Sequence, residues 1–307
     1  MLYNRQIRLM GNRFEIAVIA NAEIRANAQI DIAIAEIKRI EKLLTTFSDD
    51  STTNQINANA GIKPFIVSDE VYNLIERCQK ISNLTQGAFD ISYGGFDKRF
   101  WNFDLEMKEL PSVDDAKNAV RLIDFKKIIL NNEDKSVYLK EKGMRIGFGG
   151  IGKGYAAEMA KIILKKNGVE HGFVNAAGDL TTWGIQENGE PWTIGIADPN
   201  KSENIFSSLN ITNTSVATSG NYEKFVMIDG KRYSHTIDPK TGFPASGIKS
   251  VTVITPNAEL ADAMATPITI MGIKAGIDLI NQLKNIDCII IDDDNKVYLS
   301  KNINPIK

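Results

Sequence analysis

Charge of one sign is missing: 36 basic residues face 38 acidic ones for a net charge of -2, so no overall field recruits nucleic acid or an anionic membrane, and only a local basic pocket remains open to the chain. Long apolar runs are missing too. No stretch approaches the ~20 residues of a membrane span, and the opening "MLYNRQIRLMGNRF" has no signal-peptide core. The chain as given is expected in the cytoplasm, or in the periplasm or at a membrane if an export segment has been removed. Cysteine is scarce: Cys78 and Cys288 lie far apart on apolar segments and read as buried thiols rather than as a disulfide, a metal site or a nucleophile. Repeats, linkers and low-complexity tracts are absent. Histidine appears twice, as His171 and His235, in 307 residues.

What is present is a globular composition. At 43% hydrophobic residues the chain buries a large core, and its length predicts one large unit or two intimately joined ones. "FEIAVIA" reads as a strand. From Asn21 to about Thr45 the apolar residues Ile30, Ile34, Ile37, Ile40 and Leu44 recur at the spacing of a helix facing a core. Ser68 is placed to cap a second helix through Cys78, and "YAAEMAKIILKKNG" predicts a third, closed by Gly168. The second half is strand-rich: "GFVNAAGDLTTWG", "WTIGIAD", "EKFVMI", "KRYSHTI" and "KSVTVIT", then a closing hairpin in "CIIIDDDNKVYLS". Asp229-Gly230 is a two-residue turn that pairs "EKFVMI" with "KRYSHTI". The Asp292, Asp293, Asp294 run lacks the spacing and closing Glu of an EF-hand and reads as a solvated turn. The whole predicts an α+β fold with interleaved elements and no clean boundary.

Four segments carry chemistry. "RIGFGGIGKGYAAEMAK" sets glycines and Lys153 before a helix, either an anion cradle or a simple strand-to-helix turn; it fits neither a Walker loop nor a dinucleotide fingerprint. "ELADAMATPITIMG" places Asp262 and Thr266 four apart, on one face of a helical turn if Pro267 does not end it. Two such oxygens suit magnesium completed by phosphate, the alternative being a capped apolar helix. "GAFDISYGGFDKRFW" either holds a planar ring system or forms a satellite aromatic core. "YSHTIDPKTGFPASG" carries His235, an imidazole suited to general-base work at neutral pH, to positioning, or to structure. Asp238 either orients that ring or stiffens the loop through Pro239. His171, in "GVEHGFVN", reads as a strand-entry residue.

In order along the chain, "LMGNRFEI", "LLTTFSDDSTTNQIN", "GAFD", "GGIGKGYA", "NAAGDL", "SVATSGNYEKF", "YSHTIDPKTGFP" and "LADAMAT" resemble the FAD:protein FMN transferase family, the ApbE or flavin-trafficking proteins. The resemblance runs nearly end to end, so residues 1–307 are expected to act as one catalytic unit. It implies two intimately joined α+β subdomains with mixed or antiparallel sheets and flanking helices, and a cleft between them that binds FAD and magnesium. The implied reaction moves FMN from FAD to a Thr or Ser hydroxyl of an acceptor flavoprotein subunit and releases AMP. Flavin contacts are implied at Met10, Ala88, Phe89, Asp90, Lys153 and Ile237; the Mg2+ ligands at Asp262, Thr266 and the carbonyl of Gly150; catalysis at His235, with Asp238 beside it. Two positions depart from the family pattern. Asp50 stands where an aromatic commonly follows "FS", and Gly147 where "DLGGIAKG" has its acid, so a flavin-stacking ring and a ribose-contacting carboxylate are expected to be missing. Hydrolysis of FAD to FMN and AMP, or FAD carriage without chemistry, are the competing readings.

Overall fold

Exposed and covered residues alternate through β1 (Leu2–Leu9), the period of a strand with one packed face. Met10 and Gly11 then take positive φ values of 50° and 72°, turning the chain into β2 (Asn12–Ile19) with Leu9 opposite Asn12. Positive φ at both central residues gives the two-residue hairpin that matches strand twist. This computed structural model describes residues 1–198, 201–220 and 224–303, with the backbone alone for 196–198 and 201–209.

The predicted isoleucine stripe forms α1 (Glu23–Leu44), with Ile30, Ile34, Ile37 and Ile40 buried. Ser51 caps α2 (Thr52–Ala58), which leads through β3 (Phe65–Ile66) to α3 (Asp69–Leu84), capped by Ser68 as expected. A 3-10 turn over Ile91–Gly95 precedes α4 (Val113–Val120) and the strands β4 (Ile128–Asn131) and β5 (Ser136–Leu139). The third predicted helix, α5 (Gly152–Lys166), starts three residues before Tyr155, inside the glycine-rich loop.

The stretch predicted as one strand from Gly172 is a hairpin, β6 (Gly172–Ala176) and β7 (Asp179–Trp183). Ala177 and Gly178 turn the chain with φ of 54° and 100°, a geometry that Gly178, with no Cβ, adopts freely and Ala177 does not. Then come β8 (Trp192–Asp198), β9 (Lys201–Ile211), β10 (Ser215–Gly220), β11 (Phe225–Ile228), β12 (Lys231–Ile237), β13 (Pro244–Ser246) and β14 (Ile248–Thr255). Of the motif "SVATSGNYEKF", positions 221–223 lie outside the described residues. Asp229 and Gly230 make the predicted turn, with φ of 50° and 73°. The chain ends with α6 (Ala258–Met271), α7 (Ile273–Ile280), β15 (Asp287–Asp292) and β16 (Val297–Leu299). Asp292 is not solvated: it is buried and accepts from the amides of Asp294 and Lys296 and from the Tyr298 hydroxyl.

Eight strands form one sheet in the order β1-β2-β6-β7-β10-β14-β15-β16, and every neighbouring pair is antiparallel. Two three-stranded sheets, β11-β12-β13 and β3-β5-β4, and the β8-β9 hairpin complete an α+β fold. Helix α5 packs between α1 and α6 and against β6 and β7, while α6 lies on β10 and β14. Cys78 and Cys288 are free and fully buried. Among the described residues no helix is long and apolar enough to cross a membrane.

Helices α5 and α6 cap each other. The amide of Ala258 at the start of α6 donates to Glu158 of α5 (2.8 Å), and the amide of Gly154 at the start of α5 donates to Asp262 of α6 (2.9 Å). Each carboxylate thereby satisfies an N-terminal amide that its own helix cannot reach. Glu158 also pairs with Lys161 at 2.7 Å, both side chains about one-tenth exposed. Glu158→Ala leaves the Ala258 amide unpaired and the lysine without its counter-charge, holding only the Pro256 carbonyl at 3.3 Å, with an expected loss of about 3 kcal/mol in urea titration. An unchanged unfolding midpoint would show that the pair does not hold the two helices.

Candidate active site

The β1–β2 turn, the end of α1, residues 88–94, the glycine loop 147–152, β12 and α6 surround one cavity of about 860 Å³. That volume is the size of a pocket for a large cofactor-like ligand. Of the expected flavin contacts, Met10, Ala88, Phe89, Asp90 and Ile237 border it; of the expected metal and catalytic residues, Gly150, Thr266 and His235 do. Lys153, Asp262 and Asp238 are not among the residues that border it.

His235 is exposed at the rim, on a strand whose register slips between Tyr233 and Ile237. The slip brings His235, Thr236 and Ile237 all to the cavity, which strict alternation would forbid. Nδ1 lies 3.3 Å from the carbonyl of Lys224, and the ring meets Phe103 edge-on at 6.4 Å. A carbonyl only accepts, so Nδ1 is the donor in that contact. Asp238 accepts instead from the Lys240 amide and the Thr241 hydroxyl (2.9 and 3.0 Å), which stiffens the turn after the strand. His171 accepts the Ile185 amide on Nδ1 at 3.1 Å, a structural role at the strand entry.

Behind the glycine loop lies a carboxylate pair. Asp262 is buried in α6, and Asp179, at the first position of β7, is 3% exposed and ion-paired with Lys153. Burial pushes the Asp262 carboxyl up to about 7, and the neighbouring Asp179 charge adds to it. Burial also raises Asp179, against the pull of Lys153. Burial alone would lower the Lys153 ammonium, but the attraction of the two carboxylates outweighs it. Of the two, Asp262 is the one pushed further toward its protonated form, because Asp179 holds the lysine. Sequence reasoning missed Asp179; its one signal is a lone acid among small and apolar residues in "NAAGDLTTW", a type that is buried only when partnered.

Gly154 makes this arrangement reachable. A Cβ there would fall 2.2 Å from the Ala258 carbonyl and 2.6 Å from the Asp262 Cβ. Gly154→Ala must therefore push α5 and α6 apart, at an expected cost of about 3 kcal/mol by denaturant titration. A variant as stable as the parent would mean that the helices separate freely.

Thr266 follows Asp262 by one turn on α6, which runs on through Pro267 to Met271. The missing proline N–H costs one helical hydrogen bond, but neighbours on both sides of it, among them Met264, Ala265 and Ile268, are buried and packing holds the helix. Segment 87–101 divides between the cavity and an aromatic cluster. Phe89 and Tyr93 border the cavity, while Phe96 and Trp101 form an edge-to-face pair at 5.6 Å. The Asp90 carboxylate accepts from Ser92 and from the amide of Phe125, which shapes the loop. Near Asp50, where the expected aromatic is missing, Phe47 borders the cavity and is 99% exposed.

The profile of the ApbE family matches residues 10–290. The chain belongs to the ApbE family. It is 31% identical over 301 residues to a FAD:protein FMN transferase of Klebsiella pneumoniae (strain 342), a match covering 97% of this chain and 92% of that protein. A FAD:protein FMN transferase of Treponema pallidum (strain Nichols) is 29% identical over 320 residues, covering 98% and 87%. Among solved structures, the ApbE protein of Thermotoga maritima has a TM-score of 0.87 at 28% identity, covering 98% of this chain and 97% of that one. These similarities place the chain among transferases with the ApbE fold.

The chemistry of the donor set suits a magnesium ion. Among the described residues no three His, Cys, Asp or Glu side chains gather as a metal cluster; Gly150 and Thr266 border the cavity and Asp262 lies one turn before Thr266 on α6, and oxygen donors of this kind are what magnesium takes when phosphate and water supply the rest. Two buried carboxylates beside one lysine leave one negative charge in excess. A proton on Asp262 offsets it, and a divalent cation would replace that proton.

Proposed function

We propose that the chain transfers FMN from FAD to a Thr or Ser hydroxyl of an acceptor flavoprotein subunit, releasing AMP, with residues 1–307 acting as one magnesium-dependent unit. The observation that carries this reading is the meeting of His235, Thr266 and Gly150 with Met10, Ala88, Phe89 and Ile237 around one cavity. The names of the relatives, FAD:protein FMN transferase, support the same reaction.

The acceptor oxygen attacks the phosphorus of the FMN half, and the bond from that phosphorus to the oxygen bridging to AMP breaks. The hydroxyl proton passes to Nε2 of His235, and AMP leaves with the electron pair of the broken bond. Exposure of His235 at the rim suits an acceptor that is itself a protein, since its side chain must reach the imidazole from solvent. Asp262, Thr266 and Gly150 would hold magnesium, which when bound neutralises charge on the pyrophosphate oxygens. The glycine loop brings backbone amides to the same wall, and Phe47, Phe89 and Tyr93 offer ring faces and edges to the isoalloxazine. Lys153, tied to Asp179, adds its positive charge beside that loop.

The test incubates the protein with FAD and magnesium, with and without an acceptor domain carrying a target threonine, and measures AMP and the acceptor's mass. Equal gains of AMP and FMN-modified acceptor are expected. AMP without modified acceptor would replace the reading by FAD hydrolysis, and neither product by carriage.

A further inference from the structure

Two carboxylates border the cavity, Glu41 and Asp90. Asp90 is committed to the loop that carries it, with both oxygens accepting from Ser92 and Phe125. Glu41 is not: its side chain makes no hydrogen bond or ion pair to another described residue, and only its backbone carbonyl is used, by the amide of Thr45. It also stands in the last turn of α1, where the partial negative charge of the helix end disfavours a carboxylate. Folding therefore gains nothing from an acid at this position, yet the acid is half-buried against a ligand-sized space.

An ionised carboxylate only accepts, so its partner must be a donor. The donors a flavin dinucleotide offers in adjacent pairs are the hydroxyls of its ribose and of its ribityl chain, and pairs of sugar hydroxyls are what single acidic residues bind in other dinucleotide sites. Across the same corner lies Gly147. A Cβ added there would meet only the Thr46 methyl, at 3.7 Å, in ordinary contact, and Thr46, which borders the same cavity, lies two residues past the end of the helix whose last turn carries Glu41. The corner thus has one carboxylate, delivered from α1, and room for another from the glycine loop.

We infer that Glu41 binds vicinal sugar hydroxyls of the substrate, in the corner that Gly147 leaves open, and so sets the affinity for FAD. This rests on FAD being the substrate, as proposed above. Glu41→Gln keeps length and packing while removing the charge, and equilibrium binding of FAD, FMN and AMP is measured for the parent, for Glu41→Gln and for Glu41→Gln/Gly147→Asp. FAD binding is expected to weaken about 10- to 100-fold in Glu41→Gln, the effect of losing hydrogen bonds to a charged group, with kcat at saturating FAD within about twofold. Weakened AMP binding identifies the ribose as the partner, and weakened FMN binding the ribityl chain. Gly147→Asp is expected to recover most of the lost affinity, which a structural role for Glu41 would not produce. Unchanged affinity of Glu41→Gln for FAD overturns the assignment, and failure of Gly147→Asp to rescue overturns the shared corner. Should the parent itself not bind FAD, the proposed reaction falls and this inference with it.

Discussion

His235→Ala is expected to slow FMN transfer by about 100- to 10,000-fold, the range contributed by a positioned general base, while FAD binds within a few-fold of the parent. The two effects separate because, of the expected flavin contacts, only Ile237 shares β12 with His235, while the other groups bordering the cavity include Met10 from the first hairpin, Phe89 from the loop after α3, and Glu41 and Phe47 from the end of α1. A thermal melt of the variant beside the parent separates loss of fold from loss of chemistry. Single-turnover rates with saturating FAD and acceptor, beside equilibrium FAD binding, make the measurement. Near-normal transfer by this variant would remove His235 from the chemistry. His235→Gln sharpens the test: its amide retains hydrogen-bonding capacity but takes up no proton near neutral pH, so a pure positioning role would keep much of the rate and a base role would not.

What was legible in the sequence had a local cause. The isoleucine spacing of α1, Ser68 before α3 and Asp229-Gly230 before β12 each act within a few residues, and each is found where its chemistry placed it. Eight ordered motifs carried the family, and most of the residues taken from them border one cavity. What stayed hidden depends on distance along the chain. Gly154 and Asp262 are separated by 108 positions and Glu158 and Ala258 by 100, so the mutual capping of α5 and α6 has no local signature. Asp179 reads as a polar interruption of a strand until α5 brings Lys153 against it. Phe47 and Glu41 carry no local signal that sets them apart; the cavity beside them does. The β6–β7 turn was missed because Ala177, a residue that rarely takes positive φ, does so there beside a glycine.

Asp262 carries the second large effect, and two substitutions are needed to read it because the residue has two roles. One is structural: its Oδ2 accepts the Gly154 amide and pins the start of α5. The other is the proposed one, a charged oxygen beside Thr266 and Gly150. Asp262→Ala removes both, so it should lose roughly 1–3 kcal/mol of stability for the unpaired buried amide as well as activity. Asp262→Asn keeps an oxygen for Gly154 and can donate an amide hydrogen to Asp179, which holds the negative charge opposite Lys153; its unfolding midpoint should stay close to the parent's. The carboxamide is still a poor substitute for a carboxylate toward a hard divalent ion. Its transfer rate should therefore fall by more than the ~10- to 100-fold typical of losing an outer-sphere partner, and the magnesium concentration giving half-maximal rate should rise in step. Isothermal titration with magnesium alone supplies a readout independent of turnover. A folded Asp262→Asn variant whose magnesium titration overlays that of the parent would show that the ion is held elsewhere, and that the raised Asp262 carboxyl belongs only to the packing of two helices.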